Sequence, residues 1–261
     1  MTFIESAAAR LRDAAVTGVP CAPVRDVIGD IDAAYAVQAS LTASRLAAGQ
    51  RIVGRKIGLT SLAVQRQFGV FQPDFGVLFG DMALASGEPA SLGSYLQPRI
   101  EAEVAFVLGR DITAPDATVA DVLRATEFVL AAIEIVDSRI AGWDISITDT
   151  VADNASSGGF VLGTVPVSVM GLDLAEVGMV IEHEGEPVST GAGAACMGSP
   201  AVAVTWLARE VARRGSPLLA GDVVLSGALG PMVAVTEPGR YRARLDGLGV
   251  VDAVFTREES Q

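Results

Sequence analysis

Hydrophobic positions recur at helical spacing from residue 2 to residue 50. The first run, FIESAAARLRDAAVTG, ends on Gly18, and glycine commonly terminates helices. The second run, DIDAAYAVQASLTASRLAAG, begins on Asp30, whose carboxylate can cap a helix, and ends on Gly49. The pattern therefore predicts two amphipathic helices at the start of the chain.

After residue 50 the pattern changes to short β-branched runs that glycine, proline and aspartate interrupt. These runs are RIVGRKIGL, FGVLFGDM, IEAEVAFVLG, MVIEHEGEPV, DVVLSGAL and YRARLDGLGVVDAVFT. Helical spacing returns twice, from Asp121 to Ala132 and from Ser199 to Gly215. The strict alternation of strands and helices that a doubly wound parallel sheet requires is missing.

These elements predict an α+β fold in which a mixed β-roll or barrel follows an N-terminal helical portion. The change of pattern places the boundary near residue 75, with a helical and α+β portion over residues 1–75 and the β-roll over residues 76–261. The chain has 261 residues and is 50% hydrophobic, so it can bury a substantial core.

The net charge and hydropathy of the chain limit which partners it is expected to bind. The chain carries 19 Lys and Arg against 31 Asp and Glu, a net charge of −12, which argues against binding nucleic acid or an anionic membrane. It has no run of about 18 uncharged apolar residues and no secretory signal pattern, so we expect a cytoplasmic protein. Cys21 and Cys196 lie in unlike contexts and predict neither a disulfide framework nor a cysteine metal site.

Three glutamates lie in strand-like runs. Glu101 and Glu103 in RIEAEVAF share one face of a strand because side chains alternate along it, and such a face commonly meets solvent. Glu134 in LAAIEIVD has apolar neighbours on both sides, which indicates burial. Because burying unpaired carboxylates costs several kcal/mol, a divalent cation is the alternative interpretation. Oxygen ligands of this kind suit Mg²⁺ or Mn²⁺ better than Zn²⁺.

Two further charged residues are candidates for acid–base chemistry. Lys56 lies between glycines in GRKIGLTS, and it is either an exposed lysine at a strand end or a group that pairs with a substrate carboxylate or moves protons. Asp74 in FQPDFG is either a turn residue or a second catalytic group. The single histidine, His183, lies in a charged hairpin-like run, so acid–base work falls to Lys, Asp, Glu or water.

A long polar passage over residues 138–163 is the remaining candidate region. It is either a surface loop or a binding segment, since it is dense in groups that can bind an oxyacid. Among these groups we select Asn154 and Ser156 as substrate-binding candidates; the others are Asp149, Asp153 and Ser157.

Six motifs together resemble a known enzyme family. They are GRKIGLTS, GVFQPDFGVL, QPRIEAEVAFVLGRDI, IEIVDSRIAGW, DTVADNASSGGFVLG and STGAGAACMGSPAVAVTWLA. They are similar to those of the 2-oxopent-4-enoate (2-hydroxypenta-2,4-dienoate) hydratases of meta-cleavage pathways for aromatic compounds. These hydratases belong to the hydratase/decarboxylase family within the fumarylacetoacetate hydrolase superfamily.

The resemblance implies a fumarylacetoacetate-hydrolase-like β-roll with its catalytic domain over residues 76–261. It also implies Mg²⁺ or Mn²⁺ held by Glu101, Glu103 and Glu134, with catalytic Lys56 and Asp74 near the substrate. The implied reaction adds water to 2-hydroxypenta-2,4-dienoate and gives 4-hydroxy-2-oxopentanoate.

Two alternatives to this activity remain open. One is a 4-oxalocrotonate (2-oxo-3-hexenedioate) decarboxylase, although QPDFG and the DTVADNAS segment look more like the hydratases. The other is a non-catalytic partner subunit of a pathway enzyme. The resemblance also implies a small-molecule unsaturated 2-oxo or 2-hydroxy acid as ligand, a homo-oligomer, and association with a pathway aldolase or decarboxylase.

Overall fold

The computed structural model describes residues 2–62, 65–66 and 70–257, and two helices open it. Helix α1 (Phe3–Thr17) begins at a capping box of Thr2 and Glu5 and ends at Gly18, which has a φ of 70°. Helix α2 (Ile31–Ala47) begins at Asp30, whose Oδ1 accepts a hydrogen bond of 2.8 Å from the backbone N–H of Ala33. Both predicted N-terminal helices are confirmed.

The larger of two sheets has eight strands and carries the candidate site. Seven strands follow the order β2-β1-β10-β5-β6-β7-β3, and β11 pairs with β5 beside β10. The pairs β1–β10 and β3–β7 are parallel, and the others are antiparallel. The strands are β1 (Ile52–Gly58), β2 (Asp74–Phe79), β3 (Ala83–Ala85), β5 (Arg99–Leu108), β6 (Thr126–Val136), β7 (Ser157–Leu162), β10 (Val223–Leu225) and β11 (Val233–Ala234).

The second sheet has five strands in the order β4-β13-β12-β8-β9. Its strands are β4 (Pro89–Ser91), β8 (Gly178–His183), β9 (Glu186–Ala192), β12 (Gly239–Leu245) and β13 (Gly249–Thr256). Three more helices are α3 (Val119–Ala125), α4 (Ile147–Ala152) and α5 (Pro200–Arg213). The prediction of a mixed β-rich α+β fold behind N-terminal helices is therefore confirmed, as is the helix predicted from Ser199.

The helix predicted from Asp121 to Ala132 is wrong over its second half. Helix α3 ends at Ala125. Strand β6 begins at Thr126 and covers the rest of the predicted helix. The reason is tertiary: β6 pairs with β5 from end to end, so its ladder of hydrogen bonds and its burial outweigh the helical spacing of the small residues.

The strands β5 and β6 lie in the middle of the sheet and are covered on both faces. Ile100, Ala102 and Val104 on β5 join the main hydrophobic core, and Ala105 packs in a smaller cluster on the other face. Strand β1, from the N-terminal portion, lies between β2 and β10 of this same sheet. A side chain on β5, β6 or β1 is therefore held by a rigid and largely dry framework. None of the described helices is long and apolar enough to cross a membrane.

Candidate metal centre and active site

The three glutamates meet where β5 and β6 pair. Glu101 lies directly opposite Glu134 in the register of the two strands, and Glu103 follows on the same face of β5. One carboxylate oxygen from each residue lies within 4.8 Å of the others. Glu103 and Glu134 are fully buried and Glu101 is half-buried. The acids of β5 therefore converge on Glu134 instead of facing solvent.

This arrangement is costly for a protein without a cation. Glu103 Oε2 accepts a hydrogen bond of 2.7 Å from the N–H of Gly227, but Glu103 Oε1 and Glu134 Oε2 have no hydrogen-bond partner among the described residues. Burial and then repulsion from Glu134 raise the pKa of Glu101 to about 7, and the same two causes raise the pKa of Glu103. Convergent buried oxygens with free lone pairs fit a hard divalent cation such as Mg²⁺ or Mn²⁺.

Lys56 is buried beside this cluster. Its Nζ lies 3.0 Å from Glu134 Oε1, and its side chain is 3% exposed. Burial acts to lower the pKa of Lys56, but the negative charges of Glu134 and Asp74 outweigh burial and leave the pKa raised. Lys56 is therefore a protonated donor within the cluster and not an exposed lysine at a strand end.

Asp74 is the first residue of β2 and lies opposite Gly58 in the register of β1 and β2. A Cβ atom at Gly58 would lie 2.1 Å from Asp74 Oδ1 and 3.5 Å from Lys56 Nζ, so only glycine leaves room for this carboxylate. Burial raises the pKa of Asp74 against the opposing effects of Lys56 and a hydrogen bond from Thr150. Asp74 Oδ1 has no hydrogen-bond partner among the described residues.

The segment after α4 has an unusual backbone. Asn154, Ala155 and Ser156 all have φ between 51° and 55°, in the left-handed region that non-glycine residues avoid. Arg139 holds the segment on one side, because its Nε and backbone N–H donate to the carboxylate of Asp153 and its Nη1 donates to the carbonyl of Ser157. This strain is therefore maintained by a buried ion pair.

The two predicted substrate-binding residues lie in this segment, close to Asp74. The side chain of Asn154 is already bound to the backbone of β2: its Oδ1 accepts from the N–H of Val77 at 2.7 Å, and its Nδ2 donates to the carbonyl of Val77 at 2.9 Å. The hydroxyl of Ser156 lies 3.4 Å from that of Thr150, a residue that lowers the pKa of Asp74. Asn154 thus joins the segment to β2, and Ser156 contacts Thr150.

The other acids of this passage have structural partners. Asp149 bonds to Arg25 and to Ser146, and Asp153 bonds to Arg139. Sequence reasoning missed two residues that shape the site, Gly58 and Thr150. For Gly58 a signal existed, because it stands two positions after Lys56 on the same face of a strand.

Comparisons with known proteins place this chain in a family. Residues 55–256 match the model of the fumarylacetoacetate (FAA) hydrolase C-terminal family. The chain belongs to that family.

The "TodF product hydratase" of Pseudomonas putida is 56% identical over 256 residues, covering 97% of this chain and 96% of the relative. The "2-keto-4-pentenoate hydratase" of Burkholderia vietnamiensis is 56% identical over 255 residues, covering 97% of each.

Among solved structures, the chain is similar to the 4-oxalocrotonate decarboxylase of Pseudomonas putida G7, complexed with magnesium and adipate. The two share 32% sequence identity over 97% of each chain, with a TM-score of 0.93. The resemblance expected from the six motifs is therefore confirmed, and a relative of the same fold binds a divalent cation together with a carboxylate ligand.

Proposed function

We propose that this chain is a divalent-metal-dependent hydratase. It adds water to 2-hydroxypenta-2,4-dienoate, the enol form of 2-oxopent-4-enoate, and gives 4-hydroxy-2-oxopentanoate. The observation that carries the proposal is the convergence of Glu101, Glu103 and Glu134, buried and incompletely bonded, in a chain 56% identical to hydratases over nearly its whole length.

The three glutamates would hold Mg²⁺ or Mn²⁺. When bound, such an ion supplies a Lewis acid that attracts the carboxylate and 2-oxo oxygens of the substrate and withdraws electrons from C2. The surrounding side chains orient the ligands and carry the protons. Glu103 is fixed by the N–H of Gly227, and Glu134 is fixed by Lys56, so two of the three ligands are oriented before anything binds.

Lys56 is suited to hold a proton, because the surrounding carboxylates keep its Nζ protonated. In the hydratase reaction a proton must reach C5 of the dienoate, which converts it into an unsaturated ketone whose C4 accepts a nucleophile. We assign Lys56 Nζ as proton carrier or carboxylate partner in this step. A donor of this kind must lie within hydrogen-bond reach of the substrate.

Asp74 is suited to the second step, in which water adds at C4 and loses a proton. Its Oδ1 is buried and lacks a partner among the described residues, and its raised pKa brings it closer to the working pH of a general base. We assign Asp74 to orienting this water or taking its proton. Forming the ketone releases the enol O–H proton while C5 gains one. Water then gives a hydroxyl to C4 while C3 gains a proton, so the two steps together consume one water.

The test is an ultraviolet assay of freshly generated 2-hydroxypenta-2,4-dienoate with the purified protein. Metal-loaded protein should remove the diene absorbance and yield a product heavier by one water, and EDTA should abolish this loss until Mn²⁺ is restored. Turnover unaffected by thorough metal removal would overturn the metal-dependent mechanism, and no turnover of the dienoate would overturn the hydratase assignment.

The decarboxylase alternative predicts a different result in the same experiment. The chain is 56% identical to named hydratases and 32% identical to the decarboxylase of the same fold, which favours the hydratase. Release of CO₂ from 2-oxo-3-hexenedioate without hydration of the dienoate would reverse that assignment.

We also propose that the chain forms a homo-oligomer. Large apolar side chains such as Phe71 and Val16 are 90% and 80% exposed, and surfaces of this kind often pack against a second copy. Light scattering should report a mass above 26.9 kDa, and a monomeric mass across the working concentration range would contradict self-association.

A further inference from the structure

Arg99 is a half-buried cation that forms no ion pair within the described residues. It is the first residue of β5, two positions before Glu101. Other arginines near the site, such as Arg25 and Arg139, pair with carboxylates at 2.8 Å or less. Within the described part of the chain, Arg99 has neither an ion pair nor a hydrogen-bond acceptor for its guanidinium group. Its donors are therefore free to bind an anion.

The guanidinium group is nonetheless fixed in position. It stacks on the ring of Trp143, with its Cζ 4.3 Å from the ring centroid. Trp143 is itself held, because its indole N–H donates to the carbonyl of Gln97 at 3.1 Å and the Gln97 side chain accepts from the N–H of Gly142 at 2.8 Å. Trp143 also has a φ of 56°, a strained conformation that these contacts maintain.

Arg99 lies at the more exposed end of the strand face that carries Glu101 and Glu103. Alternation along β5 places Arg99, Glu101 and Glu103 on one face. Glu103 is fully buried and Glu101 is half-buried, so exposure increases along this face towards Arg99. Arg99 is among the charges that lower the pKa of Glu101, as expected for a residue two positions away on one strand face. The more exposed end of this face, the mouth of the site, therefore carries Arg99 and the Trp143 ring on which it stacks.

The charge of the site calls for one more cation when substrate binds. When all four are ionised, the carboxylates of the three glutamates and Asp74 outnumber Lys56 and a divalent ion by one negative charge. A 2-oxo acid adds another, and Lys56 is already 3.0 Å from Glu134. Placing a carboxylate in a negative site is unfavourable unless a positive group faces it. Arg99 can meet this need, because its donors are free among the described residues and it lies two positions from Glu101 on the same face of β5.

We propose that Arg99, held against Trp143, binds the carboxylate group of the substrate at the mouth of the site. The inference rests on the proposed function for the identity of the substrate, an unsaturated 2-oxo acid. Arginine is suited to this role because its planar fork can donate two parallel hydrogen bonds to one carboxylate. Arg99 is then a specificity-determining residue that selects 2-oxo acids over neutral 2-oxo compounds.

The test uses Arg99→Met, which keeps a long unbranched side chain at this position and removes the charge. In Mn²⁺-loaded protein we expect KM for 2-hydroxypenta-2,4-dienoate to rise about 10- to 100-fold, with kcat changed less than about threefold. Calorimetry with pyruvate as the probe should show the same loss of affinity. Arg99→Lys should recover part of the loss, because it restores charge without the planar fork.

A second readout separates anion binding from structural damage. Removing a positive charge beside Glu101 should leave Mn²⁺ affinity unchanged or make it tighter, whereas a damaged site would bind the metal more weakly. The matched control is Arg124→Met, since Arg124 is 70% exposed and paired with Asp121. This control should change neither KM nor pyruvate binding.

The outcomes distinguish this inference from the proposed function. Unchanged KM and pyruvate affinity in Arg99→Met, with an active wild-type hydratase, would overturn the role of Arg99 alone. Parallel losses of Mn²⁺ and pyruvate binding would also overturn it, because they indicate a structural role. Weaker pyruvate binding in Arg99→Met, in a protein that does not hydrate the dienoate, would support Arg99 and overturn the hydratase.

Discussion

Gly58→Ala tests whether the position of Asp74 controls turnover. The new Cβ would lie 2.1 Å from Asp74 Oδ1, whereas ordinary van der Waals contact begins at 3.4 Å. Asp74 must therefore move its carboxylate by about 1.3 Å. Backbone atoms are not among the close neighbours of this Cβ, so the strain falls on the Asp74 side chain and the fold should persist.

The expected loss can be estimated from the displacement. A misplacement of about 1 Å in a catalytic group costs about 100-fold in rate, or about 2.7 kcal/mol of transition-state stabilisation. We therefore expect kcat for hydration of the dienoate to fall about 100-fold in Gly58→Ala. Mn²⁺ affinity should stay close to that of the wild type, because the three glutamates lie on β5 and β6 and not on β1.

The assay combines steady-state kinetics with metal titration and thermal unfolding. Gly29→Ala is the matched control, since nothing lies within 4 Å of a Cβ at that position. It should behave as the wild type in all three measurements. If the Gly58→Ala protein folds, binds the metal and keeps kcat within about threefold of the wild type, the catalytic role of Asp74 is refuted. The role of Gly58 in making room for its carboxylate is then refuted too.

Three other predictions concern metal binding and stability. Glu103→Gln should weaken Mn²⁺ binding at least about 100-fold, measured by calorimetry. Glu127→Gln is the control, because Glu127 is exposed, and it should bind Mn²⁺ as the wild type does. Equal Mn²⁺ affinities of the two variants would contradict the metal site. Burial raises the pKa of Asp149, but hydrogen bonds from Ser146 and then from Arg25 lower it overall. Asp149 therefore adds stability above its unfolded pKa of about 3.9, and this stability is lost as pH falls through its folded pKa. Asp149→Asn should therefore flatten the fall in unfolding free energy from about pH 4 downwards, measured by urea titration, and an unchanged slope would contradict this. Ile133→Ala, at a fully buried position, should cost about 2–5 kcal/mol in the same titration, and a loss below about 1 kcal/mol would contradict tight packing.

Local signals in the sequence predicted the N-terminal helices and the strand character of the glutamate runs. Asp30 and Gly18 act as caps through contacts within a few residues, which a linear pattern records. The prediction for the segment from Thr126 to Ala132 failed because its state depends on pairing with β5, whose partner residues lie 18 to 29 positions away in the chain. Spacing alone does not encode such a partner.

Some residues of the site could be predicted from the sequence, and others could not. The sequence pointed to Glu101, Glu103 and Glu134 because carboxylates in apolar strands are unusual wherever they occur. It did not point to Arg99, because the absence of an ion pair for Arg99 among the described residues is visible only in three dimensions. The sequence also did not show that the side-chain amide of Asn154 hydrogen-bonds to the backbone of Val77, since that contact joins residues 77 positions apart.

The crowding of buried carboxylates also affects how long the protein lasts in a cell. An ion that binds only the folded chain adds RT ln(1 + [M]/Kd) to its stability, about 2.7 kcal/mol at one hundred times Kd. Because unfolded chains are the ones that proteases remove, we expect the supply of the ion to affect the abundance of the enzyme as well as its turnover. A shortage of the metal would therefore deplete the protein itself, and restoring the ion would require new synthesis before full activity returned.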